Sequence, residues 1–451
     1  MNFYKKQLLA FSVTLASAAL LTGCGDAETN IVENEAIVEE SEEEVGESDT
    51  SSGRLFLLDK TAVQAHVYDL STTDLLATIP LDALPSAVYA SGDYRFASLI
   101  ERTEDKVGFV DGGLWQEPHD DHYDTYSTTP ALMNNSLTGS RPTHFVRHEG
   151  KVAVFMDGDA ATGAVAGVQV FEDHHIEDAE APATLEFTMN MHGVAEPRGE
   201  YLISTIRRED ALSTSNNFIL PDQVGVYHLH DEEFELEQTI DLPCPDLHGA
   251  AQNESHVAFG CSDGILVLTD NGDGTFAAEK LANPDDLEDG LRIGSLWGHY
   301  DSGQFIALAS AHGGSTSQLY AVDPDEGEIE AIDWQPEDGA SAVARGFGSA
   351  AEQFLILDDQ GYLTAVEPHD EGDHTHWEFG ARLDISEEDV STMPDGESFS
   401  MTLARNGHFA YVADPIAQHV LVIDLGLLEI TGDIETDFVP SSPTWLGIAS
   451  E

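Results

Sequence analysis

Basic side chains are scarce in this chain: 18 lysines and arginines stand against 84 aspartates and glutamates in 451 residues, a net charge of −66 at pH 7. A field of that sign repels polyanions, which excludes nucleic acid and anionic membrane surfaces as partners. It favours cations, although the same acidity also keeps proteins soluble in salty habitats. Cysteine is equally sparse, at three residues, and no C-x-x-C pair occurs. No G-x-S-x-G and no phosphate-cradling glycine loop is present, so nothing points to a nucleophile and no enzyme is expected. Asp270-Asn-Gly-Asp-Gly274 opens like a calcium loop, but lacks the closing glutamate and reads as a hairpin turn. Helical periodicity is also missing from Gly53 onward.

The first residues carry an address. Lys5 and Lys6 precede an apolar run, Leu8 to Leu21, that ends in Leu21-Thr-Gly-Cys24. This order resembles a bacterial lipoprotein signal, with residues 1–23 removed and Cys24 lipidated. The protein is therefore expected to be exported to the periplasm or cell surface and tied to a membrane through its lipid alone. Gly25 after the cysteine favours the outer membrane in a Gram-negative cell. Asp26 to Asp49 follows with eleven acidic and no basic or aromatic residues, so residues 24–52 are expected to be a disordered tether.

Residues 53–451 read as one all-β domain. Short runs rich in Val, Ile, Phe, Tyr and Leu alternate with Gly, Asp, Asn and Pro turns, and the pattern recurs about every 50 residues. Units begin near Ser86, Thr143, Met191, Leu247, Ile293, Ser341 and Phe399, each as strand, turn, strand, turn, strand with a fourth strand leading onward. That is the order of a β-propeller blade. The terminal Ser442-Pro-Thr-Trp-Leu-Gly-Ile-Ala supplies one further first strand, and the segments at Gly53 and Gln64 supply its partners. The expectation is a single, monomeric eight-bladed propeller closed by a blade shared between both termini, with seven blades as the alternative.

The chemistry is concentrated in histidine. His119-Asp-Asp-His122-Tyr-Asp124 offers two imidazoles and three carboxylates in six residues, ligand types that hold a borderline divalent metal such as zinc. Downstream, His144, His192 and His248 recur at the start of three consecutive units. In a propeller the first strand is innermost, so three adjacent blades would aim three imidazoles at one rim, close to the nitrogen half of a tetrahedral zinc site. His119, Asp121, His122 and Asp124 are placed to complete that site, cap it, or take the metal first. His374 and His376, two apart, share a face if extended and form a candidate secondary metal site. The other reading of all these residues is polar lining of a wet channel and solvated loops.

Cys244 and Cys261 have a disulfide as their default in an oxidising compartment, with a metal pair as the alternative. If the fourth unit's first hairpin turns at Asn253, the two cysteines face each other beside His248. A bridge there closes a loop of about 16 residues, worth ~3 kcal/mol.

Val110-Asp-Gly-Gly-Leu-Trp115 leading into the His119–Asp124 stretch, Pro142-Thr-His144, Met191-His-Gly193 and Leu247-His-Gly249 with Ala258-Phe-Gly-Cys-Ser-Asp-Gly264 resemble the AztD-type periplasmic zinc chaperones. These are propeller proteins that pass zinc to the solute-binding protein of an ABC importer. The resemblance covers the body from about Gly53. It implies zinc bound through the His/Asp loop and rim histidines and released by contact with the acceptor, and ligands of this chemistry are expected to fail as imidazoles protonate below about pH 6. Two other classes fit the residues: a metal-dependent propeller lactonase or esterase, and a surface adhesion or scaffold module with incidental histidines.

Overall fold

The computed structural model describes residues 53–119, 122–207, 220–311, 317–372 and 374–450. The signal segment 1–23, Cys24, the tether to residue 52 and Asp121 lie outside the described residues.

The body is all-β, built from four-stranded antiparallel sheets in the manner of a β-propeller. Strands follow sequence order within a sheet: Ala250–Gln252, His256–Cys261, Gly264–Asp270 and Phe276–Ala282 form a plain meander. The middle strands are apolar at successive positions because both faces of each sheet are covered. Phe259 and Leu266 pack on Val194, Ile203 and Val226 of the preceding sheet. Their alternating neighbours Ala258, Ile265 and Val267 pack on Ile293, Phe305 and Tyr320 of the next. The sheets from Arg292–Trp297 to Glu328–Ile332, from Ala342–Phe347 to His374–Asp384 and from Ser400–Leu403 to Glu429–Glu435 share the plan. The N-terminal strands Arg54–Asp59, Gln64–Asp69 and Leu75–Pro80 join the C-terminal Pro440–Leu446, with Arg54 opposite Leu446 and Phe56 opposite Thr444. That sheet packs on Tyr411 and Val420 to one side and on Ala97 and Leu99 to the other. Two sheets touch edge to edge through one parallel pair, Thr184 with Glu233.

The unit starts differ from expectation at two places. Pro142–His148 is a strand that contains His144, but the corresponding strands of the next two sheets begin at Ala195 and Ala250. His192 and His248 thus stand in the segments leading in. The residue after each is closely packed: a Cβ on Gly193 would lie 2.3 Å from Thr205 Oγ1, and one on Gly249 2.4 Å from the Gly294 carbonyl.

Cys244 and Cys261 form a disulfide, the mark of an extracytoplasmic protein. The register expected from a turn at Asn253 is corrected. Gln252 pairs with Val257, and the Asn253 amide donates to His256 O, so the turn spans Asn253 to His256 and a straight hairpin would not oppose the cysteines. The bridge is reached because the chain bends at Asp246 (φ 52°) and Gly249 (φ 76°). Replacing both cysteines by alanine is expected to lower stability by ~3 kcal/mol. Urea unfolding reads this as a lower midpoint, and an unchanged midpoint would contradict it.

Candidate metal centre

His144, His192 and His248 come together. The ring centroids of His144 and His192 are 4.7 Å apart, and His248 lies 6.2 Å from the first and 5.5 Å from the second. His144 Nε2 faces His192 Nε2 at 3.1 Å, close to the ~3.3 Å between two nitrogens of a tetrahedral zinc. His192 Nδ1 lies 3.2 Å from Asp157 Oδ1, and His248 Nδ1 lies 3.0 Å from Gly294 O. An Nδ1–H donated to a carboxylate or a carbonyl sets the lone pair on Nε2 and fixes the ring, the support that metal-bound imidazoles use.

Asp157 is the residue that sequence reasoning missed. It follows the strand Lys151–Met156 in an Asp157-Gly158 turn, and Asp-Gly pairs recur at Asp111, Asp263, Asp273, Asp289, Asp338 and Asp395, so the signal was local and ambiguous. Arg102 donates to Asp157 at 2.9 Å and also to Thr143, tying the carboxylate to the segment that carries His144. Burial works to raise the Asp157 carboxyl, but the hydrogen bonds and charges of His192 and Arg102 outweigh it and hold it below its usual value. Burial first, then His192, lowers the His144 imidazole to about 4. His144 therefore keeps its lone pair well below the pH 6 at which the sequence reading expected imidazoles to protonate. Changing Asp157 to Asn is expected to weaken zinc binding ~10–100-fold, read by competition against a chromophoric chelator. Undiminished affinity would remove Asp157 from the site.

The His/Asp stretch is elsewhere. Leu114–His119 and His122–Ser127 form a two-stranded hairpin whose base is held by Arg95, 3.8 Å over the Trp115 ring, and by Arg54 donating to Thr128 O at 2.8 Å. Arg95 stands at the start of Phe96–Glu101, whereas Arg102, beside His144, stands at its end. Six strand residues, about 20 Å, separate the two ends. The expectation that this stretch completes or caps the three-histidine rim is thereby corrected. His119 Nδ1 and His122 Nε2 instead converge on Asp124, at 3.1 and 3.2 Å. All three are at least a third exposed and form a potential metal group of their own.

His374 and His376 do share a face, with rings 6.4 Å apart and nearly parallel. Yet His374 gathers with Glu328 and Glu330 of the neighbouring sheet, not with His376. Two further groups, His174/His175/Glu180 and His228/His230/Glu237, have ligand atoms within 4.8 Å of one another.

The class so defined is a propeller-like all-β protein bearing histidine and carboxylate clusters of the kind that hold divalent metals. No family model matches the chain. The zinc chaperone AztD of Citrobacter koseri is 27% identical over 224 residues, 49% of each chain, so the match spans about half the length of that curated relative. Two structures of C. koseri AztD, one of them apo, align with TM-scores of 0.68 and 0.69 at 22% and 21% identity, covering 87% of this chain and 96% of theirs. The dihydro-heme d1 dehydrogenase NirN aligns with a TM-score of 0.52 at 11% identity, over 87% of this chain and 75% of its own. The chain is thus similar over half its length to the zinc chaperone AztD and shares the AztD fold.

Proposed function

We propose that this protein is a zinc chaperone of the cell envelope, with zinc as its cargo. The observation that carries the reading is the meeting of His144, His192 and His248, two of them held by Asp157 and Gly294 O. Zinc draws the three Nε2 atoms together, with water or an incoming ligand in the fourth position. Such an open site lets a partner's ligand attach before the old bonds break. His119, His122 and Asp124, exposed on the hairpin about a strand's length away, make a weaker site that takes up metal from solution. Asp121 belongs to the same stretch and is proposed as its fourth ligand, and His374 with Glu328 and Glu330 as an auxiliary site.

The acceptor is proposed to be the zinc-specific solute-binding protein of an ABC importer, consistent with the relationship to AztD. The packing of the terminal sheet on both of its neighbours supports an eight-bladed ring closed by the pairing of Arg54–Asp59 with Pro440–Leu446. Cleavage before Cys24, lipidation there and an acidic tether to residue 52 would hold that ring at the membrane.

The test is transfer. The zinc-loaded full chain is mixed with an apo solute-binding protein of a zinc importer or with a chelator at equal strength. Faster loss to the protein than to the chelator is the expected result, and changing His119 and His122 to Ala lowers total zinc bound by one per chain. Equal rates to both acceptors would remove the chaperone reading.

A further inference from the structure

Along the strand that leads away from His144, and lined by its residues Phe145 to His148, lies a cavity of ≈ 1350 Å³. Its walls hold Arg95, Arg147 and Arg405, in a chain with only 18 basic residues. Arg95 is committed to Asp111 and Glu177, at 2.9 and 3.1 Å. The other two differ. Arg147 lies 4.1 Å over the Tyr94 ring and donates to Ala90 O at 3.1 Å, and the Arg405 guanidinium acts on the same tyrosine and on Arg147. Among the described residues neither guanidinium forms an ion pair with a carboxylate, although 84 acidic residues were available to supply one. Both are half-buried; two neighbouring like charges without a counter-charge repel, and an anion between them removes that cost.

We propose that this cavity binds a small carboxylate anion, gripped by Arg147 and Arg405 with the Tyr94 hydroxyl donating, and with its organic part against Phe145, Leu296 and Trp297. The guanidinium fork matches a carboxylate in two parallel hydrogen bonds. A phosphate would fit the fork too, but its second charge meets a lining that also holds Asp93, Glu117, Glu149, Glu177 and Asp301, and it gains nothing from the apolar side. The field acts on Tyr94. Burial raises its hydroxyl, yet the charges of Arg147 and Arg405 outweigh burial and hold it below the ordinary phenol value. The proposal is independent of the zinc reading, since it uses neither the three histidines nor the hairpin cluster.

Calorimetric titration of the full chain with acetate, succinate, citrate and inorganic phosphate at constant ionic strength tests it, alongside Arg147→Gln and Arg405→Gln. The expected result is saturable binding of one carboxylate per chain, weakened at least tenfold in either variant, with zinc binding unchanged. The carboxylate also raises the melting temperature of the parent and not of the variants. Binding of phosphate alone, or equal carboxylate binding by parent and variants, overturns the proposal. Should a glutamine variant not fold, the parent titration decides, because no saturable carboxylate binding there overturns it equally.

Discussion

Changing His144, His192 and His248 together to alanine is expected to abolish tight zinc binding while leaving the fold intact. Removing a supporting partner such as Asp157 costs ~10–100-fold, and loss of the three nitrogens themselves must exceed that. Stability should be spared because the rings lie where neighbouring sheets lead into the channel, outside the apolar clusters between sheets. Burial holds His144 neutral down to about pH 4, so no charge is removed with it at neutral pH. Zinc titration with a competing chelator and a melting curve read the two halves of the expectation. Equal affinity in parent and variant would place the metal elsewhere.

The second large effect concerns Glu196, 1% exposed. Burial pushes its carboxyl up to about 8, against one hydrogen bond from Gln252 Nε2 at 2.9 Å that favours the charged form. The folded value lies above the unfolded one, near 4.5. The favourable contribution is thus fully present below about pH 4.5 and is lost as pH rises to about 8. Glu196→Gln keeps an acceptor for Gln252 and carries no charge at any pH. It is expected to match the parent near pH 4.5 and to exceed it by on the order of 4 kcal/mol above pH 8. Asp173, pushed up to about 7 by burial and then by Asp93, titrates in both chains and cancels. Melting temperatures across that range read the difference, and parallel curves would show that Glu196 is charged without penalty.

The four-stranded sheets were readable because their middle strands are buried on both faces, which writes continuous apolar strands such as Ile265–Leu268 between polar turns. Repetition then aligned His144, His192 and His248, since equivalent positions of successive sheets face one channel. What could not be read was contact across long separations. Asp157 reaches His192 from another sheet, and Glu330 reaches His374 over 44 residues. The hairpin's place failed for a different reason. Sequence order put His119–Asp124 between two units, but only the direction of Phe96–Glu101 and Lys106–Asp111 decides that the hairpin leaves from the end opposite to His144. The Cys244–Cys261 pairing was found from a register that the bends at Asp246 and Gly249 replace. Arg147 and Arg405 gave no signal at all, since an arginine's missing partner is visible only in three dimensions.

Anomalous diffraction at the zinc edge, from crystals of the full chain loaded with one equivalent of zinc, tests the central claim most directly. The expected map has its strongest peak between the Nε2 atoms of His144, His192 and His248, about 2.0–2.1 Å from each. A strongest peak at the hairpin or at His374, with those three rings unoccupied, would contradict it.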